Sequence, residues 1–340
     1  MTENPVNPLR EQKVTIDDVA MLAGVSISTV SRVLNTSGYV SKKTADKVND
    51  AIRKLKFVPQ SSARNLASNR TNTLGLVVHE LAAPFILPLL RGIENATRDS
   101  GLNLLVGATM DKRRLMATLG EHNADGLLVT AGCITDEELL RLYYAKFPIV
   151  LMFRKPPDGF DIPYIVAENR QSSSAMVSHL IKDCGRRRIA FLRGLEADYD
   201  SHQRELGYRD ALAEHGIPFD ESLVGYGGFD EAVARNTIET WLEKDLAFDA
   251  VFAGDDEAAV GVYHAAESAG LSIPDDIMVV GFDDDYLARR MIPSLTTVHV
   301  PIEEIGKNAT CMLIDLINGK YVESMTLPTE VVIRRSSCIS

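Results

Sequence analysis

Apolar positions recur in two rhythms along the 340-residue chain, and the change between them divides it. Up to about residue 56 they fall three and four apart, the period of helices buried along one face. Ile16, Val19, Ala20 and Ala23 make one such stripe, opened by Thr15 with Asp18 three residues on, the spacing of a reciprocal capping box. Gly24 stops that helix and Val25 turns back toward a small core. Ser26 then caps a second helix, Ile27 to Leu34, with Val30, Val33 and Leu34 inward. A third, from Ser41 to about Lys56, packs Val48, Ala51, Ile52 and Leu55 on the first two. Two short helices about a tight turn at Gly24 predict a helix-turn-helix. From Thr73 onward the rhythm changes. The runs TLGLVV, LNLLVGA, DGLLVT, PIVLMF, RRIAFLR, FDAVFAG and DIMVVGF are apolar on both faces and alternate with amphipathic helical stretches. Such runs predict parallel sheets covered on each side, a doubly wound α/β architecture.

The second helix exposes Ile27, Ser28, Thr29, Ser31 and Arg32, a slim polar face that fits a major groove. Spacing alone leaves open an ordinary helical hairpin with a solvated face. Charge adds to the picture. The chain carries a net −11, yet residues 1–70 hold 11 Lys or Arg against 6 Asp or Glu, which leaves −16 for the remainder. A basic head on an acidic body suits a module that grips phosphates beside a body that repels them.

In doubly wound folds, ligands bind beyond the carboxyl ends of the strands. The residues there are Phe85, Phe153 and Arg154, Arg204, Asp255 and Asp256, and Asp283 to Asp285. A guanidinium and several carboxylates can grip a polyhydroxylated or heterocyclic ligand, and the same types are consistent with an acid–base enzyme. An enzyme, however, needs a nucleophile, metal cluster or phosphate loop, and the sequence offers no Gly-rich phosphate motif, no His pair at ligand spacing and no paired Cys. No catalytic residue, metal or cofactor is therefore expected. Cys133, Cys184, Cys311 and Cys338 lie far apart, so reduced thiols are expected, with neither a zinc site nor a disulfide framework. No apolar run approaches a membrane span and the amino terminus lacks a hydrophobic signal core, so no membrane partner and a cytoplasmic location are expected. Trp241, in helical spacing with Ile238 and Leu242, reads as core.

TIDDVAMLAGVSISTVSRVLN (Thr15 to Asn35), then VS and a third helix ending at FVP (Phe57 to Pro59), resembles the LacI/GalR family of bacterial repressors. SSARNLASNRTNTLGLVV resembles that family's hinge helix and first strand, and HQRELGYRDAL, AGDDEAAVG and VVGFDDDYLARRMIPSLTTV resemble its three effector-domain signatures. The resemblance implies a flexible tail over 1–12, a helix-turn-helix domain over 13–58, a hinge helix over 59–70 and, over 71–340, a two-lobed effector-binding and dimerisation domain similar to periplasmic sugar-binding proteins. It also implies a homodimer on a pseudo-palindromic double-stranded DNA operator, with affinity set by a small-molecule effector. A sugar or sugar derivative is the expected class, a nucleoside or purine the alternative.

Carried over by position, Ile27, Ser28 and Arg32 contact base edges, and Thr15, Ser26, Thr29, Ser31 and Asn35 hold phosphates. Leu66 wedges into the minor groove with Ala63 and Arg64 beside it. Arg204, Asp255 and Asp283 grip the effector, Phe229 stacks on it and Phe85 forms a wall. Two structural alternatives stand beside this: Arg204 and Asp283 forming a ligand-free salt bridge, and Asp284 capping a following helix. The chain departs from the family in several places. Asp255 replaces a common asparagine, Glu168, Asn169, Arg170 and Gln171 replace an Asp-Asn pair and glycine turn, and the stretch between Gly107 and Asp125 is short. No apolar heptads follow Arg335, so the tetramer-forming tail of some relatives is not expected.

Overall fold

The computed structural model describes residues 14–35, 38–57, 70–108, 119, 120 and 123–338. The chain divides into two compact units, Met1–Thr71 and Asn72–Ser340. The first contains α1 (Ile16–Ala23), α2 (Ile27–Asn35) and α3 (Lys42–Leu55). The predicted capping box opens α1, and Gly24 closes it in the left-handed conformation, φ 67°, where a residue without Cβ is least strained. The Val25 amide then reaches Ala20 O at 3.1 Å, which folds the chain back. Ser41 caps α3 by accepting from the Thr44 amide. Val19, Ala20, Ala23, Val30, Val48 and Ala51 form the core of this unit. All three helices thus lie where their apolar stripes predict.

The second unit has two lobes. Its elements run β1 (Thr73–Val78), α4 (Ile86–Asp99), β2 (Asn103–Ala108), β3 (Gly126–Thr130), α5 (Asp136–Tyr144), β4 (Ile149–Met152), β5 (Tyr164–Ala167), α6 (Arg170–Lys182), β6 (Ile189–Arg193), α7 (Tyr199–Glu214), β7 (Val224–Tyr226), α8 (Glu231–Glu243), β8 (Ala250–Ala253), α9 (Asp256–Ser268), β9 (Met278–Val280), β10 (Thr297–His299), α10 (Ile302–Ile317), β11 (Met325–Leu327) and β12 (Glu330–Val332). One sheet has the order β11-β5-β4-β3-β1-β2 and the other β7-β6-β8-β9, and every pairing in both is parallel. Apart from the edge strands β2, β7 and β11, the strands of both sheets are buried on each face, which explains their unbroken apolar runs.

All seven predicted runs are strands: β1 to β4, β6, β8 and β9. Five further strands, β5, β7 and β10 to β12, of three or four residues each, are not among the predicted runs. β10 pairs antiparallel with β12. The chain passes between lobes three times, after β5, after β10 and after β11. The second passage brings α10 back to α4 in the first lobe, where a Cβ added at Gly92 would stand 2.0 Å from Glu303 O. Only glycine permits that approach. The first and third passages are tied together by the Glu168 amide donating to Leu327 O at 2.9 Å and the Thr329 hydroxyl to Glu168 O at 2.6 Å.

Two expectations need comment here. Cys184 and Cys338 are disulfide-bonded, with Cα atoms 5.5 Å apart across a sequence separation of 154, so the expectation of four reduced thiols is corrected. The pairing is tertiary: the segment after β12 is laid beside the end of α6, and no local spacing encodes that. Cys133, buried, and Cys311, exposed, are in no disulfide. Trp241 packs against the second-lobe core and meets Phe248 edge-on at 6.0 Å, as predicted. The proposed tail, the hinge with Ala63, Arg64 and Leu66, and most of the short stretch after Gly107 lie outside the described residues. Among those described, no helix is long and apolar enough to cross a membrane.

Candidate nucleic-acid and ligand sites

The first turn of α2 is organised by hydroxyls. Ser26 Oγ accepts from the Thr29 amide at 3.2 Å and stands 2.8 Å from Ser28 Oγ and 2.9 Å from Thr29 Oγ1. The cap that ends one turn and starts the next helix therefore also sets the rotamers on the exposed face. Ile27 is 48% exposed, an aliphatic side chain held out of the small core, and Ser28 and Arg32 are exposed beside it. Thr29 and Ser31 are half-buried rather than fully exposed, a correction that follows from their positions beside the inward-facing Val30. Thr15, at the start of α1, receives Asp18 in return: its amide donates to Asp18 Oδ2 at 2.8 Å, and these bonds hold the Asp18 carboxyl below its ordinary range. Asn35 ends α2, and its side chain lies outside the described residues.

In the second unit the residues found from strand ends converge on one guanidinium. Arg204, on α7, is 5% exposed. Its Nε donates to Asn169 Oδ1 at 2.9 Å, one terminal nitrogen to Gly254 O at 2.6 Å and the other to Asp283 Oδ1 at 3.0 Å. Its carbon lies 3.9 Å from the centre of the Phe282 ring and 5.6 Å from that of Phe229. Asn169 is oriented in turn, its amide donating to Asp200 Oδ1 at 2.8 Å and Ala167 O at 3.0 Å. The ligand-free Arg204–Asp283 pair weighed from sequence is thus present.

Carboxylates outnumber the one guanidinium. Burial pushes Asp255 up to about 8, with Asp283 adding to it, and pushes Asp200 up to about 8 against the pull of Arg204. Asp283 rises only to about 6, because burial is opposed by Arg204 at contact. Burial alone would lower Arg204, but Asp283 and Asp200 hold it above its ordinary value. Asp255 also caps α9, accepting from the Ala258 amide at 2.8 Å. Asp256 receives the Thr297 hydroxyl at 2.6 Å and the Asp285 amide at 2.9 Å, fixing β10 against the turn after β9.

Backbone strain gathers here. Phe153, Phe229, Asp283 and Asp284 all have left-handed φ, at 61°, 57°, 109° and 54°, a conformation that costs a residue with Cβ about 1–3 kcal/mol. The Phe229 ring lies where a side chain on Gly194 would be, 2.0 Å from that residue's added Cβ. Phe85 and Phe153 meet edge-on at 5.7 Å at the carboxyl ends of β1 and β4. A cavity of 770 Å³ joins Phe85 to Asp283, with Asn95, Arg289, His299 and Lys307 also in its wall.

Arg154 joins none of this, since it is paired with Asp136 at 2.8 Å in the first turn of α5. Asp284 caps no helix, a correction: its carboxylate accepts from Arg289 at 2.9 Å and from Arg334, and lies 3.2 Å from His299. The arginines overcome its burial and hold it below its ordinary range. Asp285 accepts from the Leu287 and Ala288 amides and so closes the turn over 286–290. Asn169, Asp200, Gly254 O and Phe282 were not singled out as site residues. Asp200 and Arg204 stand four apart on one helical face, a signal that was there to use.

Comparison with known proteins agrees with this geometry. Residues 15–60 match the family model described as bacterial regulatory proteins, lacI family, and residues 177–338 that of a periplasmic binding protein-like domain. The chain is 34% identical over 330 residues to the ribose operon repressor of Escherichia coli (strain K12), covering 95% of this chain and 99% of that one. Among solved structures, a transcriptional regulator CelR–cellobiose complex matches with a TM-score of 0.73 at 31% identity, over 95% of this chain and 100% of that one. The lac repressor dimer bound to operator and the anti-inducer ONPF matches with a TM-score of 0.82 at 25% identity, over 96% and 99%.

Proposed function

The chain belongs to the lacI family of bacterial regulatory proteins, and from that membership we propose that it is a transcriptional repressor whose hold on DNA is set by a neutral, hydroxyl-rich ligand. It acts as a homodimer in the cytoplasm on a pseudo-palindromic operator and catalyses nothing. Ile27, Ser28 and Arg32 read base edges, and Thr15, Ser26, Thr29, Ser31 and Asn35 hold the phosphates. Arg32 supplies the bidentate reach that guanine requires, while Ile27 offers only apolar contact, as to a thymine methyl. Ala63, Arg64 and Leu66 enter the minor groove.

The observation that carries the ligand class is the state of Arg204. Its donors are already met by Asp283, Asn169 and Gly254 O, so a ligand enters by replacing or bridging them. A sugar hydroxyl suits that, since it accepts from a guanidinium and donates to a carboxylate at once. Asp255 and Asp200, pushed up to about 8, are protonated at neutral pH and so both donate and accept, which matches ligand hydroxyls, while the cost of further buried negative charge disfavours anions. Phe229 and Phe85 supply apolar walls for the ring faces of such a ligand. The ribose operon repressor and the cellobiose complex of CelR are consistent with this class.

Selection from a pool of bacterial genomic fragments tests the reading, followed by addition of neutral sugars, sugar phosphates and nucleosides. Recovery of a short pseudo-palindrome whose affinity one neutral sugar shifts supports it. Recovery of no preferred sequence sinks the repressor, and a response confined to phosphorylated compounds sinks the ligand class.

A further inference from the structure

Away from the cleft, one cluster of chemistry-bearing side chains lies where α6 ends and the segment after β12 passes it. Cys184 and Cys338 are bonded to each other there, and the buried imidazole of His179 faces them. Its Nε2 lies 3.5 Å from Cys184 Sγ and 3.0 Å from Ser337 Oγ. Its Nδ1 lies 2.9 Å from the Asp183 carboxylate. With the proton on Nδ1 facing that carboxylate, Nε2 is an acceptor, held by the Ser337 hydroxyl and within reach of Cys184 Sγ, and a carboxylate behind the ring is the usual support of a metal-binding histidine.

The imidazole nitrogen and both sulfurs lie within 4.8 Å of one another. Two thiolates and an imidazole are the donor set of zinc-class ions. With bonds of about 2.3 Å to sulfur and about 2.0 Å to nitrogen, tetrahedral angles put a sulfur and a nitrogen about 3.6 Å apart and two sulfurs about 3.8 Å apart. His179 and Cys184 already stand at the first of these separations. The two sulfurs have to part, and Cys338 Sγ, within 4.8 Å of the imidazole nitrogen, has to settle at the same separation. Both cysteines are half-buried, so an ion reaches them from solvent.

We propose that the chain, once its disulfide is reduced, binds one zinc-class ion through Cys184, Cys338 and His179, with Asp183 orienting the imidazole and solvent completing the coordination. Disulfide and metal then exclude one another. Reduction takes two molecules of a low-molecular-weight thiol, which leave as their own disulfide and return both cysteines as thiols. Coordination releases the two thiol protons to solvent and passes no electrons. Whichever state is present fastens the segment carrying Arg334 and Ser336, and Arg334 reaches Asp284 beside the cleft.

Cobalt(II) is the probe, because thiolate-to-cobalt charge-transfer bands and tetrahedral ligand-field bands report the donor set directly. The full chain, reduced and freed of reductant under anaerobic conditions, takes up one equivalent with those bands and yields it to one equivalent of zinc, while the oxidised chain shows neither. Cys184→Ser and Cys338→Ser each abolish the bands, and Cys311→Ser, at the other exposed thiol, leaves them. Asp183→Asn touches neither sulfur and sits on an exposed carboxylate; it weakens cobalt affinity roughly 10–100-fold with an unchanged melting curve. Missing thiolate–cobalt bands in the reduced chain, or bands that survive Cys184→Ser, overturn the site. Cobalt affinity untouched by Asp183→Asn overturns the part given to the imidazole.

Discussion

The exposed face of α2 and the cleft around Arg204 solve opposite problems. On α2 the side chains proposed to read DNA occupy one continuous helix of nine residues, Ile27, Ser28 and Arg32 exposed and Thr29 and Ser31 half-buried, and need only the local cap at Ser26 to be held in place. In the cleft, Asn169, Arg204, Gly254 and Asp283 come from four separate elements spread over more than a hundred residues, and they meet where water is excluded. A reading surface has to keep its donors within reach of a partner. A sensing cleft without ligand has to satisfy its charges internally, because an unpaired buried charge is far costlier than an exposed one. The contrast teaches where mutations act: changes on α2 should alter binding alone, whereas changes in the cleft should alter stability and binding together.

Arg204→Ala is the strongest challenge to that contrast. It strands Asp283 and Asn169 in the interior, so the second unit should lose roughly 3–5 kcal/mol, the range for breaking a buried pair, and its ligand response with it. Thermal unfolding and a ligand titration read both, and a variant as stable as the parent would mean the guanidinium is idle in the fold. Arg32→Ala should do the reverse, costing about 1–3 kcal/mol of discrimination on the selected operator while unfolding stays within about 0.5 kcal/mol of the parent. Competition between operator and scrambled duplex measures the first quantity.

Asp255→Asn sharpens the comparison through pH. Burial raises Asp255 to about 8 in the folded chain, against about 3.9 unfolded, so the folded state binds the proton more tightly between those values. Its contribution to stability is complete below about pH 4 and is lost as pH rises to about 8. Removing the carboxyl should therefore flatten the fall in melting temperature over that window and raise it most at pH 8. An unchanged slope would show that Asp255 is not the group titrating. Smallest is Thr15→Ala, which removes a capping box and should cost about 1 kcal/mol of the first unit's stability, read by unfolding of that unit and leaving the second unit's melting in place.

Legibility followed locality. The capping box of Thr15 and Asp18, the stop at Gly24 and the cap at Ser26 each depend on residues within five positions of one another, and all were readable. The seven predicted strands were readable because each sits in a longer apolar run, and all but the half-buried β2 are covered on both faces. β5, β7 and β10 to β12 were not, although β4, β8 and β9 are as short; what separates them is the surrounding run, PIVLMF, FDAVFAG or DIMVVGF. In the cleft, strand ends pointed to Arg204, Asp255 and Asp283, and also to Arg154, which turns to Asp136 instead. Asn169 escaped because an asparagine before a helix is an ordinary cap until a guanidinium is brought to it.

What the sequence determined by itself, then, is the set of elements, the division into a basic helical head and an acidic α/β body, and the family to which they belong. Those follow from interactions between near neighbours and from which face of each element avoids water. Tertiary structure alone decided the pairing of Cys184 with Cys338, the service of Asp284 to two arginines in place of a helix cap, and the closure of Arg204 by Asp283, Asn169 and Gly254. Each joins positions from 5 to 154 apart, and through-space contacts of that kind depend on where the sheets and crossings carry the chain.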